Sequence, residues 1–505
     1  MARVLILGID ALDCELIREF AADLPNISLL REQAVQLKVH STFPPDSDTA
    51  WATIMTGLNP AHHGIVRFID PLEKTYQIHN QAVDNKILHG KTFWDVAESS
   101  GLKTVVLFPH LCYPLWQAPG TIVVRGTNIV DVQARPPEIT NWYPDSELLL
   151  GIRGFPARGI KGLSDYHSNL TMLAESDAQF ALNVLKNNDW DLFFVYWSTI
   201  DAIGHFFWGY FDPTDPGFVE GNPLQSVIPN TYKLYDDIIG RFLSQIGDEV
   251  TLIILSDHGH GTRPYHLVNI NQILHQAGYL ITNDLKRNPH LKLYEQVKSL
   301  GASTVSRFGL GKQAARILRS FPGFVQRYTR PASINWERTL AYASDMSGIK
   351  SYSYGGIILN RAALNGRSYE NVRDEIVDLI KQKTILPNGT ALLDFIARRE
   401  DIYSGPFIEN YPDILLEFKY GYGVGWAVDV PLLSKALSHN VVPGSHRGST
   451  GTFLMHGPYK TKRDTIDLMD IFPTLMDILG LDLNQEYEGK SIINTKKDPV
   501  IDVSS

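Results

Sequence analysis

The sequence predicts a mixed α/β fold: a mostly parallel central sheet flanked by helices, with an inserted cap subdomain. Three observations lead there. Short β-branched or aromatic runs alternate with helical-period segments through roughly the first 280 residues, the pattern of a sheet covered on both faces. Each of the strongest runs passes directly into polar residues, as strands do at the edge where ligands gather. The composition then changes after Asn283, where ten Lys and Arg residues up to Arg330 face only Asp284 and Glu295.

Taken in order, Val4–Ile9, Thr104–Phe108, Leu192–Trp197 and Val250–Leu255 are predicted strands, each a short and almost wholly apolar run. The basic stretch 283–330 reads as a solvated helix pair inserted into the main body, the alternative being a contact to an anionic lipid or substrate. Beyond it, Gly355–Leu359 is strand-like and Tyr369–Lys381 helical, which completes a small cap. The sheet returns at Gly451–Met455. The chain closes with a helix over Asp467–Leu479, where Leu468, Ile471, Phe472, Leu475, Met476 and Leu479 recur at steps of three and four and form one apolar face. The predicted division is a core domain over 1–282, an inserted segment over 283–430 and the rest of the core over 431–505.

Composition narrows the function classes. With 505 residues, 44% hydrophobic and 20% charged, the chain has the content of a globular protein large enough for a core and an insertion. Forty-six basic against fifty-five acidic residues leave a net charge of −9, so no global basic field exists to hold a nucleic-acid polymer. Two cysteines, Cys14 and Cys112, exclude a disulfide framework and a cysteine-rich zinc module. No run approaches the ~18 uninterrupted apolar residues of a transmembrane helix. Because the first apolar run, Val4–Ile9, reads as a buried strand rather than a signal segment, the expected localisation is cytoplasmic.

Acids and imidazoles fall where the strands end. Asp10 terminates the first run and Asp257-His258 the fourth, Asp201 follows the third, and His446 lies just before Gly451–Met455. Asp201 and His205 are four residues apart, which puts carboxylate and imidazole on one helical face. Carboxylates with neutral imidazoles and no thiolate suit zinc or a similar divalent ion, and there are enough donors for two. A nucleophile candidate lies in Ser41–Gly57. Pro44 and Pro45 break the chain, a helix follows that Gly57 can end, and Ser47 falls at or next to its N-terminus, where backbone N–H groups and the helix dipole favour a phosphate.

In combination these residues resemble the alkaline phosphatase superfamily, most closely its type I phosphodiesterase/nucleotide pyrophosphatase branch, from Val4 to about Ser491. The run Thr56-Gly57-Leu58-Asn59-Pro60-Ala61-His62-His63-Gly64-Ile65 looks like the block that follows the nucleophile there, and its placement selects Ser47. The closing helix and Glu488-Gly489-Lys490-Ser491 resemble the end of the superfamily fold. The resemblance implies an alkaline-phosphatase-like sheet with two divalent ions, Zn2+ first and Mn2+ second. Asp201, His205 and His446 would hold one; Asp10, Asp257, His258 and the Ser47 oxygen would hold the other. It further implies hydrolysis of a small-molecule phosphoester through a covalent phosphoserine.

The chain departs from the branch at Ile65-Val66-Arg67-Phe68-Ile69-Asp70, which lacks the asparagine that helps hold the phosphate; Arg67 is assigned that charge, and Arg447 a phosphate contact. Alternatives within the superfamily are a phosphomonoesterase and a phosphomutase. A mutase of the cofactor-independent phosphoglycerate type inserts its second domain before the Asp-x-x-x-His motif, whereas the larger interruption here follows His258. An alternative of another class is a metal-stabilised binding protein without catalysis. His62, His63, His260 and His266 are read as packing, supporting or substrate-contact residues rather than ligands.

Overall fold

A computed structural model of the chain describes residues 2–66, 85–116, 120–125, 132–142, 156–157, 159–283, 334–344, 351–482 and 486–493. The chain separates into two compact units. One comprises Met1–Ile65, Asn85–Gly261 and Gly444–Ser505; the other is built around Thr262–Pro443. Arg67 and most of the basic stretch lie outside the described residues.

Nine described strands of the first unit form one mostly parallel sheet. Its strands include β1 (Arg3–Ile9), β2 (Val35–His40), β3 (Thr104–Leu107), β4 (Thr121–Arg125), β5 (Val132–Arg135), β6 (Leu192–Trp197) and β7 (Val250–Leu255). Across the sheet the order runs Thr465–Asp467, β2, Gly451–His456, β7, β1, β6, β3, β4, β5. The three central strands β7, β1 and β6 are parallel, with Gly8 opposite both Leu255 and Tyr196. β6 and β7 are buried along their whole length, which is why they read as unbroken apolar runs. Gly451–His456 runs antiparallel to β7 and β2, and β5 antiparallel to β4. The alkaline-phosphatase-like α/β expectation therefore holds, with two reversed strands.

Local differences have local causes. The strand expected over Thr104–Phe108 stops at Leu107 because Phe108 turns to φ +58°. The closing α-helix starts at Ile471 rather than Asp467, since Leu468–Asp470 tighten into a 3-10 turn. The Asp470 carboxylate there accepts from the N–H groups of Asp467 and Lys490. Gly57 ends the helix Ser47–Thr56 at φ +69°, the left-handed cap its position suggests.

In the second unit, Ala341–Ser344, Tyr354–Leu359, Ile414–Phe418 and Leu393–Arg398 form an antiparallel sheet in that order. The helix Tyr369–Lys383 packs with this sheet, and Tyr342, Ile357, Ile376, Ile380 and Leu416 share one buried core.

Candidate metal centre

The parallel arrangement brings the strand ends of the first unit to one edge. Asp10 follows β1, and its backbone N–H donates to Trp197 O at the end of β6 (2.9 Å). Just beyond β6 the helix Thr199–Phe211 carries Asp201 and His205 one turn apart, with Asp201 Oδ1 3.4 Å from His205 Nε2. Asp257 and His258 follow β7. His446 does not simply precede the sheet strand: it sits on a separate short strand, Gly444–Arg447, paired with Gly259–Thr262. Ser47 is the first residue of the helix Ser47–Thr56, and Asp46 is the cap, its carboxylate accepting from Asp48 N–H.

Two groups result. In the first, His446 Nε2 lies 3.4 Å from Asp201 Oδ1 and 3.0 Å from His205 Nε2. In the second, His258 Nε2 lies 3.5 Å from Asp10 Oδ1, 3.3 Å from Asp257 Oδ2 and 3.1 Å from Ser47 Oγ, and Ser47 Oγ is 3.4 Å from Asp10 Oδ1. All seven residues expected as ligands, Asp10, Ser47, Asp201, His205, Asp257, His258 and His446, are in one group or the other.

The tautomers follow from the backbone. A carbonyl oxygen only accepts, so each ring nitrogen facing one carries the proton. His205 Nδ1–H donates to Gly444 O (3.1 Å), His446 Nδ1–H to Pro45 O (2.7 Å) and His258 Nδ1–H to Gly259 O (2.9 Å). All three Nε2 atoms thus turn lone pairs inward, onto carboxylates and onto each other. Both oxygens of Asp257 are buried with no hydrogen-bond donor among the described residues. Such a concentration of lone pairs is stable only around positive charge. The donor sets Asp201/His205/His260, Asp201/His258/His446 and Asp10/Asp257/His258 each converge closely enough to hold a metal ion. The residues fit divalent ions with nitrogen and oxygen ligands.

With protons as the only cations, the same crowding shows in the acidities. Burial raises Asp257 well above the carboxylate range, and the Asp10 carboxylate adds to it. Burial opposes protonation of His258, but Asp257 and Asp10 outweigh it and lift the imidazole to about 9. Burial also works against ionised Asp201, yet the imidazoles of His205 and His446 hold it well below its usual range.

A supporting layer was not legible in the sequence. Tyr196 O–H (2.5 Å) and Trp51 Nε1–H (3.2 Å) both donate to Asp10 Oδ2, which leaves Oδ1 to face Ser47 and His258. Tyr196 also meets His110 Nδ1 at 3.2 Å, and His110 Nε2 meets Asp48 Oδ1 at 2.7 Å. The one available signal was a tyrosine inside a buried strand, whose hydroxyl must find a partner. Trp51 reaches Asp10 across Gly8, where a Cβ would lie 2.9 Å from the indole.

Other singled-out residues do different work. His63 is buried between Thr53 Oγ1 (2.9 Å) and the Ile65 N–H, and burial lowers its pKa to about 3, so it is a neutral packing residue. His62 pairs with Glu488 at 2.9 Å. Arg447, 45% exposed, is paired with Glu15 at 3.0 Å.

The profile of the type I phosphodiesterase / nucleotide pyrophosphatase family matches residues 4–422. The chain belongs to that family. This phosphodiesterase-family protein is accordingly a phosphoester hydrolase of the phosphodiesterase/pyrophosphatase type. No curated protein matches its sequence. Among solved structures, murine ectonucleotide pyrophosphatase/phosphodiesterase 5, an inactive variant in complex with AMP, is similar at TM-score 0.50 and 13% identity, over 98% of this chain and 100% of that one. The human protein of the same name gives 0.49 and 12%, over 97% and 100%. The murine likeness agrees with the fold of this family member.

Proposed function

We propose that the protein hydrolyses phosphodiesters through a covalent phosphoserine at Ser47, with two divalent ions. Asp201, His205 and His446 would hold one, and Asp10, Asp257, His258 and Ser47 Oγ the other. The observation that carries this reading is the inward set of three Nε2 lone pairs, each fixed by an Nδ1–H to a backbone carbonyl. The absence of thiolate donors favours Zn2+ and, next, Mn2+. When bound, such ions supply the charge that favours an ionised serine oxygen and a departing oxygen.

The protein's own residues do the rest. Ser47 Oγ attacks phosphorus; the bond to the leaving alcohol breaks as the serine–phosphorus bond forms, and the serine proton ends on the departing alcohol oxygen. The N-terminal end of the helix Ser47–Thr56 favours the negative charge gathered there. Asp10, turned by Tyr196 and Trp51, keeps one oxygen toward Ser47. Water then attacks phosphorus, the Ser47 Oγ–P bond breaks as the phosphate monoester leaves, and a proton from the water returns to Ser47 Oγ. AMP, bound in the murine structure, is the kind of product a nucleotide diester would yield, so nucleotide diesters are the substrate class to try first.

The test compares bis(p-nitrophenyl) phosphate with p-nitrophenyl phosphate, using full-length protein stripped of metal and then loaded with Zn2+ or Mn2+. The expected result is a preference for the diester that appears only on loading. Faster turnover of the monoester, or full activity after stripping, overturns the reading.

A further inference from the structure

We propose that His260 is a further protein ligand to the ion at the Asp201 group, a role beyond the set His205, Asp201 and His446; it rests on the two-ion reading above. His260 is 1% exposed, and neither of its ring nitrogens has a hydrogen-bond partner among the described residues. This separates it from His205, His258 and His446, each of which commits Nδ1 to a carbonyl. Its Nδ1 instead faces Asp201 Oδ1 at 3.7 Å, and its ring meets the His205 ring edge-on, centroids 4.8 Å apart. Ligand atoms of Asp201, His205 and His260 all fall within 4.8 Å of one another.

The surroundings are shaped to this imidazole. A Cβ on Gly204 would lie 2.6 Å from His260 Cγ, and one on Gly444 2.9 Å from Nε2, so two glycines leave the space that the ring fills. A small void beside the ring is lined mostly by Leu16, Ile200, Ile203, Trp208 and Ile228. That apolar lining gives a bridging water too few partners. Leaving a buried polar nitrogen unpaired is costly. A bond from Nδ1 to a cation shared with Asp201 removes that cost at Nδ1.

Three imidazoles and one carboxylate would complete a tetrahedral shell. Catalytic zinc sites keep one of four positions open. An open position then requires the ion to accept a fifth ligand, as catalytic zinc can.

The experiment titrates metal-free, full-length protein with Co2+, following the visible absorption and bound metal by equilibrium dialysis. Wild type is compared with His260→Ala and His260→Gln, each checked for native circular dichroism and thermal unfolding. The expected result is two ions bound by wild type, one of them weakened by about 10-fold or more in both variants, with a changed cobalt spectrum. Wild-type affinity and spectrum in the alanine variant overturn the proposal. Recovery in the glutamine variant also overturns it, because glutamine can donate a hydrogen bond to Asp201 in place of the imidazole. If the alanine variant does not fold, the glutamine variant alone decides by the same criterion. A wild type that binds no ion at all fails the two-ion reading itself, a result distinct from a variant that matches a metal-binding wild type.

Discussion

His205 and His446 face each other through their Nε2 atoms at 3.0 Å, although 241 positions separate them in the chain. Each has its Nδ1–H committed to a backbone carbonyl, and Asp201 Oδ1 lies 3.4 Å from both Nε2 atoms. The arrangement concentrates acceptors that only a cation reconciles, and most of the site's expected behaviour follows from it.

Replacing Ser47 with alanine removes the proposed nucleophile and leaves the other proposed ligand side chains in place. Turnover of a chromogenic diester should fall by on the order of 10⁴-fold or more, while bound metal per chain, measured by atomic emission, stays close to wild type. Activity within tenfold of wild type would assign the nucleophile elsewhere.

Stripping the metal should make stability fall as pH rises. His258 in the folded, metal-free chain has its pKa raised to about 9 from an ordinary 6.5. Its protonation stabilises the fold fully below pH 6.5, and that contribution is lost as pH climbs through about 9. Asp257, also raised, acts with the same sign. Thermal unfolding of stripped protein between pH 6.5 and 9 should show a declining Tm; a flat or rising curve contradicts the charge crowding.

Tyr196→Phe deletes the hydroxyl that donates to Asp10 Oδ2 and keeps the ring, which packs against Trp51 with centroids 5.0 Å apart. The expected outcome is a metal affinity lower by about 10–100-fold with little change in thermal unfolding of the metal-free protein. Chelator competition measures the first quantity. Unchanged affinity would show that Trp51 alone orients Asp10.

Gly8→Ala tests the close approach that seats Trp51. The added methyl would lie 2.8 Å from the Phe194 ring and 2.9 Å from Trp51, between two buried strands. Overpacking of this kind costs about 1–3 kcal/mol, to be read from urea unfolding. Diester turnover should drop as well, because the indole that helps hold Asp10 must shift.

Much of the site was legible in the sequence because chain direction and strand polarity already constrain it. A parallel sheet delivers the residues after its strands to one edge, so Asp10, Asp201, Asp257 and His258 could be grouped before any distance was known. The i, i+4 pair Asp201 and His205 needed only helical periodicity. His446 was legible through family resemblance; its placement depends on the short pairing of Gly444–Arg447 with Gly259–Thr262, too brief to leave a periodic signal.

By itself, then, the sequence determined the α/β class, the strands that carry the site, and the donor types gathered at their ends. Those features arise from local periodicity and from the order of residues along the chain. Only the tertiary structure decided which lone pairs converge, that Asp10 is turned by Tyr196 and Trp51, and that the buried ring nitrogens of His260 have no hydrogen-bond partner among the described residues. The reason is physical. Tautomer, orientation and desolvation are set by groups brought within about 3–4 Å by folding, and residues hundreds of positions apart leave no mark of that proximity in the sequence.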